Sequence, residues 1–456
     1  MLSCLLLNHA GTQAMNVTVK EAGKLAEQLT DSIRFTMDSL TVSGPLNGAD
    51  LKLIHLIADR SKVKKNGERL LTWLDLSKAV IMEEKQKQYV TTNALPNGFL
   101  SGCKSLQHVI LPDSLLSLGR NCLSGCVGLG EIKIPTMVTS ISVAALKGCS
   151  SLTEITVPAS VILIDDDVFE DCTQLKKVTF ECKLAELPDG IFEGCENLTT
   201  INMPAPVKKI GKSTFKDCKS LTKFDISELT AIGSSAFKGC ISLSEINLPE
   251  SLTRIGSSAF EGCSSLKTVT IPALVKELGS GTFMDCILLD SVNIVGQVEK
   301  LEANTFRKCQ SLRVVNLPMS LRIVGDNAFM DCISLSEIKM PIAVRSIGGN
   351  AFERCVSIKS VVVPVSCTSI GGDAFRECSM LSSVELPSGL KKIGGGAFMK
   401  CASLNEVVLK SPTPPGIGSN TFKGVNSCRF IVPKGSKERY YNDKKWAKVS
   451  SIFIEQ

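Results

Sequence analysis

The chain has 456 residues, 44% of them hydrophobic and 21% charged, the balance of an ordered, water-compatible polypeptide rather than a disordered one. Its net charge is only +6 and the basic residues are dispersed, so the clustered basic stripe of a nucleic-acid binder is missing. No segment approaches the ~20 consecutive apolar residues of a membrane-spanning helix.

The chain opens with MLSCLLLNHAGTQA, Met1 to Ala14. The apolar run Leu2 to Leu7 and the Thr-Gln-Ala end fit the tail of an export signal whose start lies upstream. The run lacks a positive leader and is short for a whole signal. A fortuitous apolar leader is the alternative, and lipidation at Cys4 a weaker one. Residues 15–92 read as an N-terminal capping region with irregular repeats. Thr18-x-x-Glu21 resembles a capping box and predicts a helix through about Leu29. Met37 to Val42 and Leu71 to Leu76 each approximate Leu-x-x-Leu-x-Leu, so they predict founding strands, separated by a helix after Asn47. The charged run Glu83 to Lys87 reads as a solvated loop or helix face.

Residues 93–410 form a repeat array. Fourteen cysteines, from Cys103 and Cys126 to Cys378 and Cys401, recur every 23 residues, and only the interval Cys218 to Cys240 is 22. A fixed period of this length predicts a solenoid, whose coils bury a core only by stacking. The consensus is Ile-Gly-x-x-Ala-Phe-x-x-Cys-x-Ser-Leu-x-x-Val-x-Ile-Pro, as in Ile255 to Pro272. Its Leu-x-x-Val-x-Ile part reads as a short strand with one buried face, which proline then stops. The Ile-Gly pair is expected to turn the chain. Ala-Phe-x-x-Cys suits one helical turn pointing Phe and Cys inward. Twelve of the 18 Phe occupy that one slot. The fold class is thus an α/β solenoid with a single parallel β-sheet and short helical turns, capped at both ends. Fourteen stacked strands would make a sheet roughly 60 Å long at about 4.8 Å per strand. The short coil loses its residue between Ile226 and Ile232, in a loop, where the deletion is expected to leave the flanking slots undisturbed.

One thiol per coil suits a buried row of free cysteines, since cysteine is a small hydrophobe with a weak donor. Disulfides and metal ligation are the alternatives; metal sites need ligands converging on one point, whereas these thiols form a line. Cys4, Cys122, Cys182, Cys367 and Cys428 are off this register and show no pairing pattern.

Residues 411–456 read as a C-terminal cap. Ser411-Pro-Thr-Pro-Pro-Gly416 breaks the rhythm and Phe422 is the last echo of the repeat. A strand over Arg429 to Pro433, a helix from about Ser436 holding Tyr440, Tyr441 and Trp446, and a final strand over Ser451 to Glu455 follow. Their aromatics are expected to cover the open end of the core; a ligand-binding aromatic cluster is the alternative.

The three histidines, His9, His55 and His108, are widely separated in sequence and show no nucleophile arrangement. The pairs Gly348-Gly349 and Gly371-Gly372 belong to the coil turn rather than to a phosphate loop. The chain therefore reads as no enzyme, with no cofactor and no metal. The exposed position between Val and Ile offers more. It runs Ile110, Lys133, Thr156, Thr179, Asn202, Asp225, Asn247, Thr270, Asn293, Asn316, Lys339, Val362, Glu385 and Val408. The eight from Thr156 to Asn316, with Lys177, Lys223, Glu245, Thr268 and Ser291 two positions earlier, are the candidate docking strip. Stacked Thr and Asn also suit a flat sheet as architecture alone. The strip lacks the Trp and Tyr that usually anchor a partner.

The recurring Ala-Phe-x-x-Cys-x-Ser-Leu-x-x-Val-x-Ile-Pro core, from Leu100 to about Leu409, resembles the BspA-like leucine-rich repeat family, the 23-residue type also found in treponemal proteins. The ends agree. Val42-Ser43-Gly44-Pro45-Leu46-Asn47-Gly48 and the LDLS run at Leu74 to Ser77 resemble the leader segment of surface proteins from Bacteroides and relatives. Val432-Pro433-Lys434-Gly435-Ser436 with Tyr440 and Trp446 resembles their closing segment. The resemblance implies a leucine-rich repeat solenoid, secreted or on the bacterial cell surface outside the outer membrane, that binds a protein or other extracellular macromolecule, with adhesion to host or neighbouring cells. It implies no catalytic residues. A passive spacer of the cell envelope and an intracellular repeat scaffold are the competing readings; the partner and the oligomeric state stay open.

Overall fold

The computed structural model describes residues 13–60, 67–82, 92–449 and 452–456. The chain divides into two compact units, Met1–Phe224 and Asp225–Gln456. Each is a parallel β-solenoid with few helices.

In the first unit, one ladder runs through Ala14–Thr18, Ser39–Leu46, Trp73–Asp75, His108–Ile110 and Glu131–Ile132, each strand parallel to the next. Register aligns Leu40, Leu74, Val109 and Ile132, all buried, which is what period-two alternation over a half-buried strand demands. On the later coils Glu154–Val157, Lys177–Phe180 and Thr200–Asn202 continue the same pattern. The founding coils are therefore members of the sheet. Of the predicted leader only Gln13 and Ala14 are described, and Ala14 opens the first strand; the run Glu83 to Lys87 lies outside the described residues.

The predicted capping box at Thr18 is wrong. Thr18 closes a strand in register with Ser43 and hydrogen-bonds its hydroxyl at 3.0 Å; sheet pairing outcompetes the local helix signal. The helix nearby is short, Leu25–Gln28, with no side-chain cap. A capping box does exist at Asn47, which caps Gly48–Ala58 while the Asp50 carboxylate accepts from Asn47 N. That buried carboxylate also accepts from Gly23 N and Leu25 N, so every role that buried charge requires is filled.

The second unit repeats the scheme with Thr268–Ile271, Ser291–Ile294 and Val314–Asn316. The same ladder resumes at Ser360–Val362 and runs through Ser383–Leu386, Glu406–Leu409, Arg429–Val432 and Phe453–Glu455. The expectation of fourteen consecutive strands fails at three coils. Lys223 in the first unit, and Asp225, residues 245–248 and residues 337–340 in the second, belong to no strand. Asp225 sits in the coil that is one residue short, and there the Ser227 N–H turns to the Asp225 carboxylate at 3.0 Å. The coil that lost a residue therefore lacks the strand ahead of the deletion, although the same turn at Asp75, where Ser77 N donates to the carboxylate at 2.8 Å, coexists with ladder pairing. For residues 337–340 we have no physical account.

Beside the predicted sheet each unit carries a second, two-residue parallel ladder ending on the isoleucine of Ile-Gly, such as Ser346–Ile347 beside Ser369–Ile370. The glycine after it is not a left-handed turn residue. A Cβ at Gly371 would lie 2.4 Å from Gly348 C and Gly349 N of the previous coil, and one at Gly394 2.3 Å from Gly372 N. Close backbone approach, rather than turning, selects glycine here. The turning is done elsewhere. The residue before each cysteine is left-handed, as at Asp331 (φ 64°) and Arg354 (φ 58°), and so is the fifth residue before it, as at Asn327 (φ 57°) and Asn350 (φ 54°). These positions break the expected helical turn into successive i to i+3 turns, for instance Cys332 N to Phe329 O at 3.1 Å, because left-handed residues cannot continue a right-handed helix.

The turns still aim Phe and Cys inward. In the first unit Phe169, Phe192 and Phe215 stack at 5.8 and 5.7 Å with planes within 9° of parallel. In the second the column runs from Phe237 to Phe422, with centroids 5.1–5.7 Å apart. At the C-terminal end Trp446 and Tyr440 are fully buried. Trp446 packs on Phe422 and Phe430. Its Nε1–H donates to Pro415 O at 2.8 Å, and the Tyr440 hydroxyl donates to Ser411 O at 2.9 Å. The irregular Ser-Pro-Thr-Pro-Pro segment thus supplies acceptors to the aromatics that close the core.

Candidate functional site

The array's most repeated chemical group, the thiol, is structural. Along the row the cysteines donate Sγ–H to the carbonyl of the Phe-slot residue one coil earlier, as in Cys195 to Phe169 O at 3.0 Å, Cys309 to Phe283 O at 3.1 Å and Cys401 to Phe375 O at 3.0 Å. The same carbonyls accept the N–H of their own turn, so the thiol fills the second lone pair of a buried acceptor. Burial pushes the thiols of Cys126 and Cys401 up to about 12, and those of Cys263, Cys286 and Cys332 well above the usual range. A nucleophile needs the opposite shift and some exposure.

One place mimics a catalytic constellation that sequence spacing hid. Cys103 Sγ lies 3.7 Å from His55 Nδ1, and His55 Nε2 lies 3.9 Å from Asp59 Oδ2. Cys103 is nonetheless fully buried and its thiol is pushed up by desolvation. It is the first cysteine of the row, with no carbonyl bond of the kind the later thiols make, and His55 Nδ1 is its polar neighbour instead.

The candidate strip is placed in pieces. In the first unit Thr156, Thr179 and Asn202 stand in direct register, with Lys177 beside Glu154 and Thr200 two residues earlier. Asn202 Nδ2 reaches Thr179 Oγ1 at 3.4 Å. In the second unit Thr270, Asn293 and Asn316 form a second trio, flanked by Thr268 and Ser291. Lys223, Asp225, Glu245 and Asn247 are exposed but lie off any strand, and the Asp225 carboxylate is occupied by its own turn and held below its ordinary value by those hydrogen bonds. The structure does not join these four to either trio.

Trp73 was missed. It lies on the outward face of a founding strand, in register between Ser39 and His108, and is 39% exposed. Its ring stands 4.7 Å from that of His108, whose Nδ1 lies 3.4 Å from the Glu131 carboxylate. Ile110 and Asp75 are the next outward pair. The signal was in the sequence: in LTWLDL, Trp73 occupies the position two before the strip. Extending the register back through the founding coils finds the aromatic anchor that the strip itself lacks.

The BspA type Leucine rich repeat region (6 copies) matches residues 92–222, 208–336 and 300–429. Curated proteins give no match. Among solved structures, a leucine-rich repeat protein from Bacteroides ovatus is 26% identical, with a TM-score of 0.56 over 86% of this chain and 90% of that one. A leucine rich cell surface protein from Faecalibacterium prausnitzii is 26% identical over 59% of this chain and 82% of its own, with a TM-score of 0.43. A leucine-rich repeat protein from Eubacterium ventriosum is 21% identical over 63% and 89%, with a TM-score of 0.45. No helix among the described residues is long and apolar enough to cross a membrane. With the 23-residue period, the thiol row, the Phe column and the family match in agreement over most of its length, the chain belongs to the BspA type leucine-rich repeat family.

Proposed function

We propose that the chain is a non-enzymatic binding protein, secreted or displayed on a bacterial surface, that holds an extracellular protein or other macromolecule on the outward face of its sheet. The observation that carries this reading is the half-exposed Trp73, its ring tilted by 38° against that of His108, on the same face of the first unit as Thr156, Thr179 and Asn202. A rigid aromatic amid polar residues is the usual anchor of an interface, and a ladder fixed by backbone hydrogen bonds loses little entropy on binding. The residues Thr268, Thr270, Ser291, Asn293 and Asn316 offer a polar patch of their own in the second unit. Surface placement rests on family membership and on the resemblance of the two ends to secreted relatives.

The test is a binding screen of the purified chain against extracellular-matrix proteins and bacterial surface polymers, beside Trp73→Ala and Thr179→Lys/Asn202→Lys variants. Saturable binding that weakens at least ~30-fold in Trp73→Ala, a hot-spot loss, with an unchanged thermal midpoint, is the expected result. No binding to any surface would sink the reading in favour of a passive envelope spacer.

A further inference from the structure

The second unit carries a feature that the strip does not account for. Met319, Ile342 and Val365 occupy the same slot of three consecutive coils, directly after Pro318, Pro341 and Pro364. The turns that hold them are alike, with Leu321 N, Val344 N and Cys367 N bonded to those proline carbonyls. Ile323, Ser346 and Ser369, four residues later in each coil, are in ladder register. The three side chains therefore form a row along the stack, and they are 71, 62 and 62% exposed. Elsewhere in this unit the slot holds Glu228, Glu250, Ala273, Gly296, Ser388 and Ser411. Val314, also exposed, lines the same groove as Met319 and Ile342. Single exposed apolar residues need no explanation, but a contiguous row of them marks a contact surface.

A second observation falls at the same place. Residues 337–340, in the middle coil, form no strand although Val314–Asn316 and Ser360–Val362 on either side do. A groove of about 450 Å³ opens there, lined by Val314, Asn316, Met319, Lys339, Met340 and Ile342.

We propose that this row docks an amphipathic α-helix of a partner protein, lying along the stack with acidic residues flanking its apolar face. The first reason is pitch. Phe306, Phe329, Phe352 and Phe375, which set the coil spacing here, are 5.4, 5.1 and 5.1 Å apart. A helix repeats its apolar face every 5.4 Å per turn, and so keeps step with the row. An extended strand repeats a face every ~6.6 Å and falls out of step by about 3 Å over two coils. The second reason is charge. Arg322 and Arg345 stand three residues beyond Met319 and Ile342, and Lys339 and Lys359 lie on the strand side. Arg322 and Lys339 have Glu299 and Glu337 within 3.5 Å, while Arg345 and Lys359 have no ion pair among the described residues. Glu299 and Glu337 offset Arg322 and Lys339, so the rim is left with one unpaired cation on each side, Arg345 and Lys359, complementary to acidic flanks.

The row belongs to the second unit and shares no residue with the Trp73 reading in the first, so the two readings fail independently. The probe is a fluorescein-labelled synthetic helix with leucines at every third or fourth position and glutamates beside them. Controls are the same composition scrambled and a lysine-flanked version. Fluorescence anisotropy on the full chain is expected to give saturable binding of the glutamate-flanked helix only. It should weaken at least 10-fold in Met319→Glu/Ile342→Glu/Val365→Glu and stay unchanged in Trp73→Ala. These three positions are exposed, and an unaltered thermal midpoint verifies folding. Equal binding of the scrambled or lysine-flanked peptide, retention in the triple variant, or no binding would overturn the proposal. Self-association of the full chain that the triple variant abolishes would also overturn it, assigning the row to a second copy.

Discussion

The cysteine shows how one residue can serve an array without doing chemistry. It is small enough for the inside of a tight turn, and its S–H reaches a carbonyl that the backbone leaves half satisfied, as between Cys332 and Phe306 O at 3.1 Å. Sequence spacing made the row and its buried, unpaired character legible; the acceptor was not, because it lies one coil earlier and three residues off in phase. The raised thiol values carry a pH consequence. In the folded chain the ladder thiols stay protonated well above the ordinary value, whereas in the unfolded chain they ionise near about 8.5. Their contribution is full below that pH and is lost as pH rises through it toward the folded values, by about 1.4 kcal/mol per thiol per pH unit. A Cys286→Ala/Cys309→Ala/Cys332→Ala variant should therefore be less stable at neutral pH, yet lose stability less steeply above pH ~9, by about 4 kcal/mol per unit. Urea titrations between pH 7 and 11 measure this; identical slopes for the two proteins would remove the thiols from the explanation.

Within a single coil, successive turns and two short strands divide the labour differently from what local propensity implies. Glycine after isoleucine looked like a turning residue and is a spacing residue; Asp, Asn, Lys, Arg and a different set of glycines take the left-handed angles. Propensity could not separate these roles, because the clash that selects glycine comes from a neighbouring coil 23 residues away. Two adjacent glycines test the distinction. Gly371→Ala places a Cβ 2.4 Å from backbone of the previous coil and should cost about 1–3 kcal/mol by overpacking. Gly349→Ala meets nothing closer than 3.5 Å, outside the left-handed region, and should be neutral or stabilise by up to ~1 kcal/mol through the unfolded chain. Urea midpoints of the two variants decide it, and similar losses in both would show that conformational freedom, not approach, selects these glycines. Ion pairs between neighbouring coils, such as Lys216–Glu193 at 2.6 Å and Lys400–Glu377 at 2.9 Å, are surface contacts and add little each.

For the molecule as a whole, a stack must end somewhere, and its ends are where the repeat pattern is least informative and the chemistry most particular. At the C-terminal end Trp446, Tyr440 and Phe453 cover Phe422 and Phe430, with both polar aromatic atoms bonded to the preceding irregular segment. Trp446→Ala should destabilise the second unit by about 3–5 kcal/mol, expose the Phe422 ring and promote aggregation. Tyr440→Phe, which removes one hydrogen bond, should cost only about 1 kcal/mol. Chemical denaturation with light scattering reads both, and a small effect of Trp446→Ala would mean that the column ends without needing this cover. By itself the sequence determined the solenoid, the family, the parallel sheet and the inward Phe and Cys, because each is written in a period that any coil repeats, and the aromatic cap, because Tyr440 and Trp446 follow directly where that period stops. Only the tertiary structure decided where the ladder lapses, that Thr18 is a strand residue, that His55 completes the cysteine row, and that Trp73 and the Met319 row face outward. These depend on which coil lies against which, and a contact between residues far apart in the chain leaves no local trace.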